Sequence, residues 1–174
     1  MRHGESEGNV RDEINDNPAR IVNLTARGRS QAEAAAEQLR DMPITHAYSS
    51  QFPRAQQTAA IVMRGRGMDI NTDARLNERL SGLDGQHVDE FRKLVRDDYL
   101  HSRPPLGESF VQQMERVRGF LDEIAARYPD GVVLAVSHEN PVVAALCLTS
   151  PDPGQTALRS VANCEWVVLD WSTA

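Results

Sequence analysis

The first half of the chain alternates between helical patterns and short apolar runs. Thr25 is a suitable N-cap for a helix that runs to about Arg40 and is rich in Ala, Gln and Glu. The segment 46–50 (HAYSS) is typical of the end of a short strand. Pro53 suits the first turn of a second helix, which Gly65 ends. The pattern therefore predicts helix, strand and helix in succession.

The middle of the chain is less regular. A weaker strand is predicted near 69–72, and scattered Gly and Pro mark 77–107 as an irregular segment with one helix at about 88–95. A long amphipathic helix is predicted from about 108 to 128, because apolar residues recur there at intervals of three and four.

The last third of the chain indicates how strands and helices are layered. The continuous apolar run 132–137 (VVLAVS) is typical of a parallel strand covered on both faces. A short helix is predicted over 141–148 and a final strand over 166–171 (WVVLDW). This order of elements predicts a three-layer α/β sandwich, a mostly parallel sheet with helices on both faces. The length favours a single domain over 1–174, in which 77–107 is a variable segment that selects the substrate.

The predicted sheet lacks its usual first strand. An α/β domain usually opens with a buried strand, whereas Arg2 and His3 stand almost at the first residue. The strand is cut from this chain, or the start codon is misplaced, or the sheet is built without it. The expectation is a truncated first strand.

Composition and charge exclude several classes of protein. The 174 residues are 40% hydrophobic and 25% charged, as in an ordinary globular domain, and the net charge of −6 argues against a nucleic-acid or acidic-membrane binder. No apolar run approaches the roughly 18 residues of a membrane span, and the first residues do not resemble a signal peptide. With only two cysteines, a cytoplasmic protein is expected.

Common cofactor and metal motifs are also missing from the sequence. Lys93 is the only lysine and follows no glycine-rich loop, which excludes a P-loop and a pyridoxal enzyme. The five histidines form no metal-ligand pattern, and no G-x-S-x-G turn is present. Ile70 stands where a dinucleotide fingerprint starting at Gly65 needs its third glycine. We expect no metal and no cofactor.

Arginine and histidine residues stand where strands give way to helices. Arg2 and His3 follow the place where a first strand should end, Arg54 opens a helix after the strand at 46–50, and His138 follows the run 132–137. The carboxyl ends of parallel strands meet at one crevice. Arginine forks and helix N-termini favour phosphate there, and a neutral imidazole is a nucleophile that can attack phosphorus.

Six ordered segments resemble the histidine phosphatase superfamily, in its phosphoglycerate-mutase-like branch. They span nearly the whole chain, and together they are far more specific than the three-residue string R-H-G alone. The segments are 2–9 (RHGESEGN), 24–32 (LTARGRSQA), 49–59 (SSQFPRAQQTA), 76–82 (LNERLSG), 104–110 (PPLGESF) and 136–140 (VSHEN).

The resemblance implies roles for five residues. His3 is expected to be the nucleophile that becomes phosphohistidine, and Arg2 and Arg54 are expected to bind the phosphate. His138 is the implied second imidazole, which binds a phosphate oxygen and stabilises the transferring group. Glu78 is the implied proton donor to the leaving alcohol.

Three further residues are candidates for substrate binding. Asn9 and Ser6 belong to the first segment, although a turn and an N-cap are their alternative roles. Glu139 stands where the family often has glycine, so it either crowds the pocket or takes part in proton transfer, and it competes with Glu78 for the role of general acid.

The leading function is a metal-independent phosphatase that hydrolyses a small phosphomonoester through phosphohistidine. The alternatives are a phosphoglycerate-mutase-type phosphotransferase and a non-catalytic protein that binds a phosphorylated ligand. The family's mutases are expected to carry extra loops and a tail, for which 174 residues leave little room. The expected partner is a small phosphorylated metabolite, with no nucleic acid and no membrane, and a homo-oligomer is compatible with the sequence.

Overall fold

The computed structural model describes residues 1–172. The chain alternates helices with three short parallel strands, and a short 3-10 helix at Ala74–Leu76 follows β2. The helices are α1 (Glu7–Val10), α2 (Ala26–Gln38), α3 (Pro53–Val62), α4 (Val88–Val95), α5 (Phe110–Arg127), α6 (Glu139–Leu148) and α7 (Pro153–Thr156), and the strands are β1 (His46–Ser49), β2 (Ile70–Thr72) and β3 (Val133–Val136).

The three strands form a parallel sheet in the order β2-β1-β3. Tyr48 of the central strand lies opposite Asn71 on one side and Ala135 on the other. All three strands therefore point their carboxyl ends to the same edge of the sheet.

Successive residues of the strands face opposite layers of helices. Ala47 and Leu134 belong to a core cluster with apolar residues of α2 and α3. Tyr48 and Val133 face the other way and pack against Phe120 in α5. Because a strand turns successive side chains to opposite faces, these contacts make a three-layer α/β fold, which confirms the predicted architecture.

Local capping chemistry sets where the long helices begin. The Thr25 hydroxyl accepts a hydrogen bond from Gly28 N at 3.0 Å and caps α2. Pro53 opens α3, where its missing N–H costs nothing. Ser109 and Gln112 form a capping box at the start of α5. These three helices lie where the sequence predicts them, within two or three residues at each end.

The helix predicted from Pro141 begins two residues earlier, at Glu139. Proline is tolerated in the first turn because the N–H groups there have no partner within the helix. Pro141 is therefore the third residue of α6, and Glu139 and Asn140 belong to its first turn rather than to a loop.

The predicted final strand over 166–171 is wrong, since no strand forms there. Both tryptophans of this segment are held by side-chain hydrogen bonds instead, Trp166 Nε1 to Gln38 Oε1 at 3.1 Å and Trp171 Nε1 to Asp122 Oδ1 at 2.9 Å. Residues of β3, of α5 and of this segment line an apolar groove of about 350 Å³. Among residues 1–172, no backbone hydrogen bond pairs 166–171 with a strand.

The first three residues extend the sheet beside β3. Ser137 N donates to Met1 O at 2.8 Å, and His3 N donates to Ser137 O at 2.9 Å. Arg2 forms a parallel bridge with Ser137. These bonds fix the backbone of Arg2 and His3 at the carboxyl edge of the sheet.

Within residues 1–172, no helix combines the length and the apolar character needed to cross a bilayer.

Candidate active site

A cavity of about 480 Å³ lies at the carboxyl edge of the sheet. Seven of the eight candidate residues line it, and the eighth, His138, is fully buried behind them. The seven are Arg2, His3, Ser6, Asn9, Arg54, Glu78 and Glu139.

The His3 imidazole is held in one tautomer. Its Nδ1 lies 2.6 Å from Gly4 O, and since a carbonyl only accepts, Nδ1 carries the proton. Its Nε2 accepts a hydrogen bond from Arg54 Nε at 3.1 Å, so Nε2 has its lone pair free of a proton. A buried imidazole that lines the cavity with an unprotonated Nε2 has the form that a nucleophile needs.

Arg54 joins the two histidines through one guanidinium group. Its Nε donates to His3 Nε2, and its Nη2 donates to His138 Nδ1, both at 3.1 Å. The rest of the guanidinium is held by Asn15, whose Oδ1 and backbone oxygen accept from Nη1 and Nη2. Burial lowers the pKa of Arg54 to about 10, so the group stays charged at neutral pH.

His138 lies behind Arg54 at the N-cap position of α6. Because its Nδ1 accepts from Arg54, the proton of the neutral ring is on Nε2, which donates to Ser50 Oγ at 2.8 Å. The two imidazole rings meet edge to face with their centroids 5.0 Å apart. For His138 to donate to a phosphate oxygen, its ring proton must be on Nδ1, with Nε2 then accepting from the Ser50 hydroxyl.

Both imidazoles are kept neutral by their surroundings. Burial, and then the positive charge of Arg54, hold the pKa of His3 and of His138 well below the ordinary value of 6.5. A protonated imidazole has no lone pair for attack. The arginine therefore favours the reactive form of His3 besides providing charge for an anion.

Arg2 also lines the cavity and is held by residues from later in the chain. Its Nη1 donates to Val161 O at 2.5 Å and forms an ion pair with Glu139 Oε2 at 3.0 Å. The other oxygen of Glu139 accepts from Ser160 Oγ and from Val161 N, at 2.8 and 3.2 Å. Glu139 thus connects Arg2 to residues 160–161. The sequence does not reveal that Glu139 pairs with Arg2.

Glu78 reaches the cavity from the loop after the 3-10 helix. Its Oε1 accepts from Arg79 N at 2.8 Å and from Asn140 Nδ2 at 3.1 Å. Burial raises the pKa of this carboxyl, against the opposing effects of these two donors and of the charges of Arg54 and Arg2. A raised pKa favours the protonated form that a general acid requires.

Ser6 and Asn9 form the capping box of α1. The Asn9 Oδ1 accepts from Ser6 N at 3.0 Å and from Ser6 Oγ at 3.1 Å, while Asn9 N donates back to Ser6 Oγ at 3.3 Å. The turn and the N-cap that the sequence allowed are therefore both present. The two side chains line the cavity at the same time, so their capping role does not remove them from the site.

Two glycines hold the loop that carries His3 against α2. A Cβ on Gly4 would lie 2.4 Å from Gly28 O, and a Cβ on Gly28 would lie 2.0 Å from Glu5 O. Such distances are far inside van der Waals contact, so both positions need glycine for close approach. The residue after His3 is therefore in direct backbone contact with the first turn of α2.

Sequence reasoning missed four polar residues that support the site. Three of them hold a candidate side chain directly: Asn15 beside Arg54, Ser50 beside His138, and Asn140 beside Glu78.

The fourth missed residue, Asp16, fixes the loop that follows Arg79. Its Oδ2 accepts from Ser81 N and from Ser81 Oγ, both at 2.7 Å. The sequence signals for all four residues were weak, because Asn and Asp in a polar stretch and a serine at a strand end are typical of loops in general.

The cluster of arginine and histidine at the carboxyl edge of the parallel sheet has the chemistry that binds a phosphate group. The family model of the histidine phosphatase superfamily (branch 1) matches residues 1–174. The chain belongs to this superfamily and is an enzyme of the histidine phosphatase type.

Curated relatives cover almost the whole chain. The chain is 36% identical to a probable phosphoglycerate mutase GpmB of Enterobacter sp. strain 638. The alignment, gaps included, has 188 positions and covers 98% of this chain and 83% of the relative. The chain is 35% identical to the protein of the same name in Proteus mirabilis. That alignment, gaps included, has 190 positions and covers 100% of this chain and 84% of the relative.

Solved structures share the fold. A mycobacterial glucosyl-3-phosphoglycerate phosphatase superposes with a TM-score of 0.77 at 28% identity, covering 93% of this chain and 84% of that one. A putative alpha-ribazole-5'-P phosphatase of Escherichia coli superposes with a TM-score of 0.80 at 24% identity, covering 94% and 84%, and this likeness concerns the fold alone.

Proposed function

We propose that this protein is a metal-independent phosphatase that hydrolyses a small phosphomonoester through a phosphohistidine on His3. The observation that carries the proposal is the state of the His3 ring. Its Nδ1 proton is held by Gly4 O, and its unprotonated Nε2 lies against Arg54 at the cavity.

In the first step, His3 Nε2 forms a bond to phosphorus while the bond from phosphorus to the leaving oxygen breaks. The phosphate takes the N–H groups of Arg54 that now bind the two imidazoles. The ring gains positive charge as Nε2 becomes bonded to phosphorus, and Gly4 O stabilises that charge by accepting from Nδ1–H. Phosphoryl transfer needs mainly such positioning and charge neutralisation.

Glu78 completes both steps as a proton carrier. It gives its proton to the leaving alcohol oxygen in the first step. In the second step its carboxylate takes a proton from the water that attacks phosphorus, and the bond from phosphorus to His3 Nε2 breaks. Inorganic phosphate and the starting form of the enzyme result.

The proposal predicts turnover that survives a strong chelator and is inhibited by vanadate. Arg2 and Arg54 provide fixed positive charge in the cavity, which favours an oxyanion over a divalent cation. In support, the mycobacterial relative has been solved with VO3 and with inorganic phosphate. The measurement is release of phosphate from p-nitrophenyl phosphate with and without chelator. Activity that is lost to the chelator and restored by a divalent metal would refute the proposal.

Glu78→Gln is expected to impair hydrolysis of an alkyl phosphate by about 10²–10⁴-fold, the usual contribution of a general acid. Hydrolysis of an aryl phosphate is expected to fall much less, because a phenolate leaves without a proton. With Glu78 present, kcat/KM for the alkyl substrate falls as pH rises through the raised pKa of this carboxyl, and this limb disappears in the variant.

The matched control for that experiment is Glu139→Gln. Since Glu139 binds Arg2 and residues 160–161, its loss is expected to affect both substrates mildly and about equally. A leaving-group dependence that follows Glu139 instead of Glu78 would reverse the two roles.

A mutase is the second candidate, because the curated relatives are named probable phosphoglycerate mutases. A mutase returns the phosphoryl group to a second hydroxyl, whereas a phosphatase gives it to water. Incubation with 3-phosphoglycerate separates the two, since the mutase forms 2-phosphoglycerate and the phosphatase forms inorganic phosphate. Binding of 3-phosphoglycerate without either product, together with no release of phosphate from p-nitrophenyl phosphate, would indicate a non-catalytic binding protein.

The variable segment 77–107 is proposed to select the substrate, a small phosphorylated metabolite. Phe91 and Tyr99 from this segment line the cavity. The buried Arg79 organises the segment by donating to Ser102 O at 3.0 Å and to Glu108 O at 3.2 Å.

Two buried free cysteines are compatible with the proposed cytoplasmic location.

A further inference from the structure

A chain of hydrogen bonds runs from the Tyr99 hydroxyl through Asn140 to the carboxyl of Glu78. The Tyr99 hydroxyl donates to Asn140 Oδ1 at 2.5 Å, and Asn140 Nδ2 donates to Glu78 Oε1 at 3.1 Å. Tyr99 comes from the segment 77–107, whereas Asn140 is in the first turn of α6. Glu78 and Tyr99 both belong to the segment 77–107, and Asn140 of α6 connects the tyrosine hydroxyl to the proposed acid.

These contacts decide which oxygen of Glu78 carries its proton. Oε1 already accepts from two N–H donors, Arg79 N and Asn140 Nδ2. Among residues 1–172, no hydrogen bond engages Oε2. A protonated Glu78 therefore carries its proton on Oε2, the oxygen that remains free to serve the substrate.

Tyr99 keeps Asn140 in the orientation that this arrangement needs. With Oδ1 bound to the tyrosine hydroxyl, the amide presents Nδ2 to Glu78. A reversed amide would present an acceptor to Oε1 and draw the acid proton onto the wrong oxygen. Burial raises the pKa of Tyr99 to about 12, so its hydroxyl remains a donor at working pH.

We propose that Asn140 is a positioning residue that directs the Glu78 proton into the cavity, and that Tyr99 fixes the orientation of Asn140. The inference rests on the proposed function, since it needs Glu78 as the general acid. It adds a means by which Tyr99, which lines the cavity, acts on the chemical step as well as on binding.

The test measures kcat/KM for glycerol phosphate, an alkyl substrate, and for p-nitrophenyl phosphate. Asn140→Leu is expected to lower the value for glycerol phosphate about 10-fold, part of the contribution of the acid, and the value for p-nitrophenyl phosphate less than about 3-fold. Tyr99→Phe keeps the ring and is expected to change the same ratio by about 3-fold. Tyr128→Phe is the control, because its hydroxyl pairs with Tyr48 away from the site.

The pH profile provides a readout that a merely structural role would not move. Asn140 lowers the pKa of Glu78, as do the charges of Arg54 and Arg2 that face it, so Asn140→Leu is expected to shift the basic limb of kcat/KM to higher pH. In a Glu78→Gln background, Asn140→Leu is expected to have no further effect on the ratio of the two substrates.

Equal losses on both substrates, or an undiminished effect of Asn140→Leu in the Glu78→Gln background, would overturn the inference while leaving Glu78 as the acid. If Glu78→Gln itself shows no dependence on the leaving group, the assignment of the acid fails and the inference fails with it. A Tyr99→Phe variant that folds normally and keeps the wild-type ratio would remove Tyr99 from the proposal.

Discussion

His3→Ala is expected to abolish turnover, with a loss of several powers of ten in kcat. The variant has no group that can form the covalent intermediate, and removing a nucleophile costs the whole covalent route. The measurement combines steady-state release of phosphate with an acid-sensitive, base-stable phosphorylated protein trapped by rapid denaturation. We expect the trapped species in the unmodified enzyme and none in the variant.

The control for this result is His101→Ala, because His101 is exposed and paired with Asp98. Since His3 is buried against His138, His3→Asn serves as a second variant in case the alanine perturbs folding. More than a few per cent of residual activity in a folded variant would contradict the covalent mechanism.

Arg54→Lys is expected to lower kcat/KM by roughly 30- to 1,000-fold, about 2–4 kcal/mol in transition-state binding. Lysine keeps the charge but has no planar fork. It cannot donate at once to His3, to His138 and to both oxygens of Asn15, as Arg54 does. The measurement is kcat/KM for p-nitrophenyl phosphate, together with the inhibition constant for vanadate.

Arg40→Lys is the matched control, since Arg40 is an exposed arginine that pairs with Glu37. We expect it to leave both constants unchanged. If Arg54→Lys behaves as Arg40→Lys does, Arg54 has no part in binding the phosphate.

The sequence predicts that the arginines and histidines meet at one site, because it shows clearly where the strands end. The apolar run before His138 and the proline before Arg54 each locate a strand-to-helix junction, and parallel strands bring such junctions to one edge. The structure indeed brings Arg2, His3 and Arg54 to one cavity. The predicted layers follow from the same alternation of apolar runs and amphipathic helices.

The contacts that set side-chain chemistry were beyond prediction. Asn15 lies 39 positions from Arg54, and Asn140 lies 62 from Glu78, and no local pattern encodes pairs so far apart. The prediction of a strand over 166–171 was wrong for a related reason. Its apolar composition suits a strand, but a strand needs a neighbour, and the presence of a neighbour is a property of the whole fold.

The contact between Gly4 and Gly28 makes a surface helix responsible for the position of the nucleophile. No side chain separates the two backbones. A displacement of α2 therefore moves the residue beside His3 directly, because no flexible side chain lies between them to adjust. Substitutions among Ala32 and Ala35, which pack α2 on the core, are therefore able to change catalysis from a distance.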